Sequence, residues 1–479
     1  MTIVYRSVIV KLGINRKQWI MVIVLLMGTL LAVLNMSVVT PALPSIMKDL
    51  GVDSTTVQWL SSGYSLVEAM VIPLAAFLMG RFSTRRLFIG CISLFAAGSL
   101  VAAFASTFPL LMVGRVLQAL CTGAIMPMVT AVILLVFPKE SRGTAMGITG
   151  LVVGFAPALG PSVSGVIIDS FGWRTLFVIM AAVSLIVIAL AAVYLRNFDG
   201  FQPGAFDLVS VLFSSVGLAC LLYGLSTFTS TSNMMLTVSL IVVGVLLVAV
   251  FVRRQLKTKE PMLRVGILAN RTYAHSVIIV ACMQAALMGC NVMVPMFIQT
   301  VLGASATASG LAMLPGALIG ACCGIVSGRM FDKYGIRKVA LPGLTVMTIG
   351  GVLMALLGAD ASVILTACAY TVLYAGLMFA MTPVNTWGIN ALDNENIGHA
   401  QSVTNTVGQI ASSMGTALIV SISALSTTLA PTATGHAQSI LGSTLAFAAI
   451  AVILAAALVT ALLATRTHRG TTKRTLVGQ

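Results

Sequence analysis

Charge is scarce in this 479-residue sequence. Asp, Glu, Lys and Arg together supply 8% of residues while 58% are hydrophobic, and mean hydropathy is +1.05. Soluble domains carry roughly 25% charged residues, so a water-soluble fold is excluded. No Gly-x-x-x-x-Gly-Lys-Ser/Thr phosphate loop occurs and no polar stretch is long enough for a nucleotide-binding domain, which rules out ATP drive within the chain. The eight cysteines (91, 121, 220, 282, 290, 322, 323 and 368) all fall in apolar segments and form no Cys-x-x-Cys pair, so buried helix packing is expected of them rather than metal binding. The four histidines (275, 399, 436 and 468) are scattered. A membrane enzyme or sensor would need a clustered catalytic set or an output domain, and neither is visible, so no enzyme activity, cofactor or metal is expected. The basic start (Arg6, Lys11, Arg16, Lys17) precedes an apolar run too long for a signal peptide and without a small-residue cleavage site, and reads as a retained helix.

What the sequence has in abundance is long apolar runs. A hydrocarbon core about 30 Å thick takes about 20 residues of helix, because backbone polar groups must be satisfied within their own segment. Hydropathy places spans near 19–41, 56–79, 87–105, 109–134, 143–168, 174–195, 207–227, 234–254, 272–299, 306–328, 338–358, 361–386, 400–425 and 441–465. The expectation is an all-α integral membrane protein of fourteen transmembrane helices in a cell membrane. With the N-terminus inside, the cytoplasmic segments hold 24 Lys+Arg and the external loops only Lys48 and Arg174. That asymmetry fits the positive-inside rule only if an even number of spans returns the C-terminus to the cytoplasm. The formal charge of +15 is thus mostly topology, with attraction to anionic lipid in addition, and nucleic acid is not expected as a partner.

Two basic clusters look like copies of one another. Gly328-Arg-Met-Phe-Asp332-Lys-Tyr-Gly335-Ile-Arg337-Lys338 aligns with Ala76-Phe-Leu-Met-Gly80-Arg81-Phe-Ser83-Thr-Arg85-Arg86 at an offset of 252 residues. Two homologous halves follow: a six-helix bundle in 1–198, an inserted helix pair in 199–265, and a second six-helix bundle with a short tail in 266–479.

Of the twelve acidic residues only Glu68 falls in the interior of a span, away from its ends, which makes it the candidate for proton coupling. A permanently protonated carboxyl that only bonds two helices together is the other role open to it. Arg115 is the one basic residue in the interior of a span, away from its ends; its burial costs roughly 2.5–3.5 kcal/mol even on lenient scales, so it should face a cavity or a partner. Snorkelling, or bracing between helices, stands beside a role in coupling. Tyr64 and Glu68 share one helical face, as do Arg115, Gln118 and Thr122, and Gln284, Met288 and Asn291 share another. Such polar stripes in an apolar bundle suit amphiphilic ligands, with Asn385, Asn405 and Gln409 as further candidates. Each single Asn or Gln is equally readable as a hydrogen bond between helices.

These signatures resemble the major facilitator superfamily, and the extra pair resembles its fourteen-helix drug:proton antiporter branch. Gly328 to Lys338 is similar to the family's loop signature, in which glycines admit close helix contact and an acid engages a neighbouring helix end. The resemblance implies a gating role for Gly328, Asp332, Gly335 and Arg337, whereas the first copy has Gly80 in place of the acid and keeps Arg81 and Arg85. Gly114-Arg115-Val-Leu-Gln118-Ala-Leu-Cys-Thr122-Gly123 is similar to the family's buried-arginine motif, linked there to proton transfer. Gly154-Phe-Ala-Pro157-Ala-Leu-Gly160-Pro161-Ser-Val-Ser-Gly165, followed by Gly172-Trp173-Arg174, resembles the signature of exporters. Its glycines and prolines permit close contact and a bend between the halves. Leu34-Asn35-Met-Ser37-Val-Val-Thr40-Pro follows the branch's first-helix pattern with Asn35 where an Asp is common, which implies a place for Asn35 in the cavity. Together with Thr386-Trp387-Gly-Ile-Asn390, Asn405-Thr406 and Gly398-His399-Ala-Gln-Ser402, it looks like the lincomycin-resistance-type subgroup.

The resemblance implies a proton-coupled exporter of lipophilic or amphiphilic drug-like compounds, working by alternating access between two bundles, with protons, a small-molecule substrate and the bilayer as partners and a monomer as the working unit. Neither hydropathy nor charge reports direction, and a proton-linked importer of a small nutrient is the alternative.

Overall fold

The computed structural model describes residues 15–52, 54–197, 207–227, 234–258, 261–304, 306–358, 361–431 and 435–475; within helices, side chains at some positions, among them 154–159, 161, 162, 165 and 466–475, lie outside the description. The described residues form helices and connecting turns. The long ones are α1 (Arg16–Val38), α2 (Ser54–Arg81), α3 (Thr84–Ala103), α4 (Phe108–Val136), α5 (Arg142–Phe171), α6 (Arg174–Tyr194), α7 (Leu208–Thr227), α8 (Met234–Lys257), α9 (Arg271–Thr300), α10 (Ala306–Tyr334), α11 (Ile336–Ala355), α12 (Val363–Asn390), α13 (Ile397–Leu429) and α14 (Gly435–Thr475).

Twelve helices among the described residues are long and apolar enough to cross a membrane. Two further predicted spans, at 143–168 and 207–227, fall on α5 and α7, helices of 30 and 20 residues. Several helices start on identifiable caps. Asn15 and Gln18 form a capping box at α1, and the Asn270 side chain accepts from the Thr272 and Tyr273 amides at α9, satisfying donors that a helix start leaves open. Gly335 turns the chain from α10 into α11 at φ 76°, a left-handed conformation that a side chain disfavours, which explains the second glycine of the loop signature.

One element was not visible in hydropathy. Leu43–Leu50, read from sequence as an external loop, is an eight-residue helix closed by Gly51 in the left-handed conformation. It is too short to register as a span. The cysteines also depart in part from expectation: Cys91, Cys121 and Cys290 are buried, but Cys322 and Cys368 lie exposed on the apolar outer surface.

Helices α1–α6 pack around one apolar core and α9–α14 around another. The first core extends across to Tyr273, Val277, Ile389, Leu392 and Ile397 from the second half, and takes in Met262 and Leu263 from the segment before α9. The halves meet chiefly where α5 lies along α10, with α2 and α4 against α13 and α5 against α12. Helix α8 packs on α7 and is largely exposed, whereas α7 also touches α2 and α13, one helix from each half.

Candidate functional site

The site is built from helix faces of the first bundle. Gly98 and Gly114 bring α3 and α4 so close that a Cβ on either would lie 2.7 Å from the other's carbonyl oxygen. At Gly123 a Cβ would lie 2.5 Å from the Glu68 carbonyl oxygen, so α2 crosses α4 equally closely. Small residues at crossings permit this in a bilayer, where apolar surface gives no driving force of its own.

The close approach lets four helices share one buried polar network. Arg115 is 1% exposed; its Nε donates to the Leu60 carbonyl oxygen at 3.0 Å and its Nη1 to Gln118 Oε1 at 3.0 Å, and its guanidinium lies 4.2 Å from the Tyr64 ring centre. Gln118 Nε2 donates to Ser99 Oγ at 2.8 Å, and Gln118 Oε1 also accepts from Asn35 Nδ2 at 3.3 Å. Thr122 donates to the Gln118 carbonyl oxygen, so the 2.6 Å contact between Thr122 and Tyr64 is one in which the phenol donates. Hydrogen bonds to a charged group and a cation–π contact offset the burial of the guanidinium. Asn35 Oδ1 is the one atom of this set left buried without a partner.

Glu68 lies one turn along α2 from Tyr64 and is half-buried. It is within Coulombic reach of Arg115, yet among the described residues no ion pair joins the two. Arg115 is thus held by neutral acceptors while the acid stands apart, with a charged partner in reach.

The predicted cavity residues separate into two groups. Asn35, Tyr64 and Gln118 are fully buried and bound into the arginine network. Gln284, Met288, Asn385, Asn405 and Gln409 are half-buried, and Asn291 is exposed, accepting from the Tyr370 hydroxyl at 3.4 Å. The Gln284 side chain of α9 comes against Gly408 of α13, which lies between Asn405 and Gln409 in sequence.

The loop signature forms a second constellation, joining the two halves. Asp332, near the end of α10, accepts from the Gly143 amide at 2.8 Å through Oδ1, and from the Thr144 amide at 2.7 Å and its hydroxyl at 2.6 Å through Oδ2. A carboxylate at the first turn of α5 also meets the positive end of the helix dipole. A Cβ on Gly328 would lie 2.1 Å from the Gly143 carbonyl oxygen, and one on Gly147 2.5 Å from that of Gly324. Beside this, buried Arg142 donates to Asn390 Oδ1 at 3.1 Å and to Asn394 Oδ1 at 3.0 Å, across to the second half. Arg85 donates to the Ala192 carbonyl oxygen of α6, while Arg81 and Arg337 are exposed. Of the helix 5 signature, Gly160 meets Ser37 of α1; the side-chain positions of Gly154, Pro157, Pro161 and Gly165 lie outside the described residues. The Trp173 and Arg174 that follow clasp Asp49 of the short helix, and these hydrogen bonds, Arg174 foremost, hold its carboxyl below the usual carboxylate range.

Sequence reasoning missed Ser99, Arg142, Thr144 and Asn394 as site residues. Thr144 and Arg142 sit where the start of a helix follows a basic loop, but only the fold brings Asp332 and Asn390 to them.

The Major Facilitator Superfamily model matches residues 25–416. The chain belongs to this superfamily. It is 36% identical over 432 residues to the uncharacterized MFS-type transporter YcnB of Bacillus subtilis, covering 90% of this chain and 91% of that protein. Lincomycin resistance protein LmrB of the same organism is 32% identical over 403 residues, 84% of each chain. A multidrug resistance protein B homolog of Mycobacterium tuberculosis is 28% identical over 410 residues, 83% of this chain and 74% of that one. The fold is shared with the human organic anion transporter MFSD10 (TM-score 0.67, 12% identity, covering 93% of this chain and 100% of the other). It is shared also with the proton:xylose symporter XylE (TM-score 0.61, 16% identity, 91% and 95%). The chain is therefore a multi-pass membrane transporter of an all-helical major facilitator fold, and not an enzyme.

Proposed function

We propose that this transporter is a proton-coupled exporter of lipophilic or amphiphilic drug-like compounds, spanning the membrane fourteen times with both termini in the cytoplasm and working as a monomer. Residues 1–198 and 266–479 form the two transporting bundles and 199–265 the inserted pair. The names of relatives at 28–32% identity favour drug export over nutrient uptake. The basic loops that favour this orientation put the Asp332–Thr144 seam, where the two halves are in close contact, on the cytoplasmic side.

The observation that carries the reading is a membrane-depth Glu68 within Coulombic reach of Arg115 while Arg115 is held by neutral acceptors. Glu68 takes a proton from outside. In the inward state, release of that proton leaves a carboxylate next to a guanidinium whose present acceptors are all neutral, and Arg115 exchanges part of that set for the acid. Deprotonation is thereby favoured where the substrate is to be collected, and a cationic substrate leaving the site favours reprotonation. One proton against one monovalent cation is electroneutral and draws on the pH gradient alone, whereas exchange for a neutral compound also gains about 2.3 kcal/mol per 100 mV.

The test is substrate uptake into inverted vesicles driven by an imposed pH gradient. Glu68→Gln is expected to reduce gradient-driven exchange by at least roughly tenfold, the range of a lost proton-transfer group, while binding of substrate persists. Full gradient-driven exchange in the variant overturns Glu68 as the coupling group. Accumulation by wild-type cells, in place of reduced accumulation, establishes import instead.

A further inference from the structure

The inserted pair carries a feature that transport by the two bundles does not use. From Met234 to Val252, α8 runs 19 residues without a charge, about 28 Å of helix, close to the thickness of a hydrocarbon core. Arg253, Arg254 and Lys257 follow immediately, which sets them at the level of the lipid headgroups. There they line an open groove of about 400 Å3 with Val250 and Phe213 on its apolar side and Thr258 at its end. Positions 250, 253/254 and 257 recur on one helical face, so one surface changes from apolar to cationic within two turns.

The three cations are not equivalent. Arg254 is engaged by Asp207, its Nε donating to Oδ2 at 2.6 Å and its Nη2 to Oδ1 at 3.1 Å. Arg253 and Lys257 are exposed and have no hydrogen-bond or ion-pair partner among the described residues. Val250 is 45% exposed on a helix whose surface is mostly uncovered. A ligand that fits must bring an anionic oxygen cluster to Arg253 and Lys257 and an apolar portion to Phe213 and Val250, from the bilayer side. An anionic phospholipid has that construction, and free phosphate lacks the apolar half. We propose that this groove binds the headgroup phosphate of an anionic phospholipid, with Arg254 kept in place by Asp207 as its wall.

The full chain is reconstituted in nanodiscs of phosphatidylglycerol and phosphatidylethanolamine, and the lipid retained on release is counted by native mass spectrometry. Arg253→Gln with Lys257→Gln is expected to lower retained phosphatidylglycerol roughly tenfold, as two headgroup-level charges should, and the charge-preserving Arg253→Lys with Lys257→Arg to retain it. Arg16→Gln with Lys17→Gln, which removes equal charge from another basic end, leaves it unchanged. Equal loss in the two glutamine pairs assigns the effect to general surface charge and overturns the site. Displacement of the lipid by inorganic phosphate alone overturns the lipid as its occupant.

Discussion

Two seams join the halves of this transporter, and they are built differently. Along α5 and α10, Gly143, Gly147, Gly324 and Gly328 bring the backbones into contact, and Asp332 crosses to the first turn of α5. Along α2 and α13 the loop signature has Gly80 where its copy has Asp332, and the helices meet over less of their length. Ile397-Gly398-His399 opens α13 as Arg142-Gly143-Thr144 opens α5. The start of α13 is held by a different partner: the Arg264 amide donates to His399 Nδ1 at 3.3 Å and Arg264 Nη1 to Asn396 Oδ1 at 3.2 Å. The second seam has, in place of an acid near a helix end, a strap from the segment between α8 and α9. The two similar loop segments therefore sit at seams held by different contacts.

The sharpest way to break the contrast is to stop the tight seam from closing. Gly328→Val places a side chain where 2.1 Å separates a Cβ from backbone, and transport is expected to fall at least roughly 100-fold, since backbone must shift by more than overpacking tolerates. Labelling of a cysteine introduced at the α5 start should rise in parallel. Asp332→Asn retains the shape but loses charge at three hydrogen bonds; a weakening of about 2 kcal/mol lowers transport on the order of 30-fold, and unchanged transport would show that glycine packing alone closes the seam. Thr144→Val removes one hydroxyl bond, for roughly fivefold. Arg264→Gln removes one side-chain bond of the strap while the amide remains, and a change below about threefold is expected. An Arg264 effect larger than that of Asp332 would invert the comparison.

The smallest effect concerns the clasp of the inserted pair. The Arg254 hydrogen bonds hold the Asp207 carboxyl down to about 2, with Ser210 assisting. A depressed folded-state value contributes stability above the ordinary carboxylate range and loses it as pH falls towards 2. Melting of purified wild type and Asp207→Asn should therefore differ by a constant margin from pH 8 to pH 5 and converge only in strong acid.

The helix plan was legible in the sequence because spans are long apolar runs bounded by charge. The candidate residues Glu68, Arg115 and Asp332 were legible because isolated charge at membrane depth, or one acid in a basic loop, is conspicuous. Their partners were not. Arg115 uses the Leu60 carbonyl oxygen, a backbone group that leaves no mark in sequence, and Gln118 reaches Ser99 through a crossing set by Gly98 and Gly114. Asp332 needs Gly143 and Thr144 from a helix 188–189 positions away. The Trp173-Arg174 pair, grouped with the exporter signature by resemblance, serves here to clasp Asp49 at a loop corner.

Helix α7 rests on α2 and α13 together, with Trp59 of α2 stacked on Tyr223 at 5.6 Å. A solute dissolved in the bilayer that approaches the looser seam therefore meets α7 first. The pair α7 and α8 stands as a fence along one side of the junction between the halves.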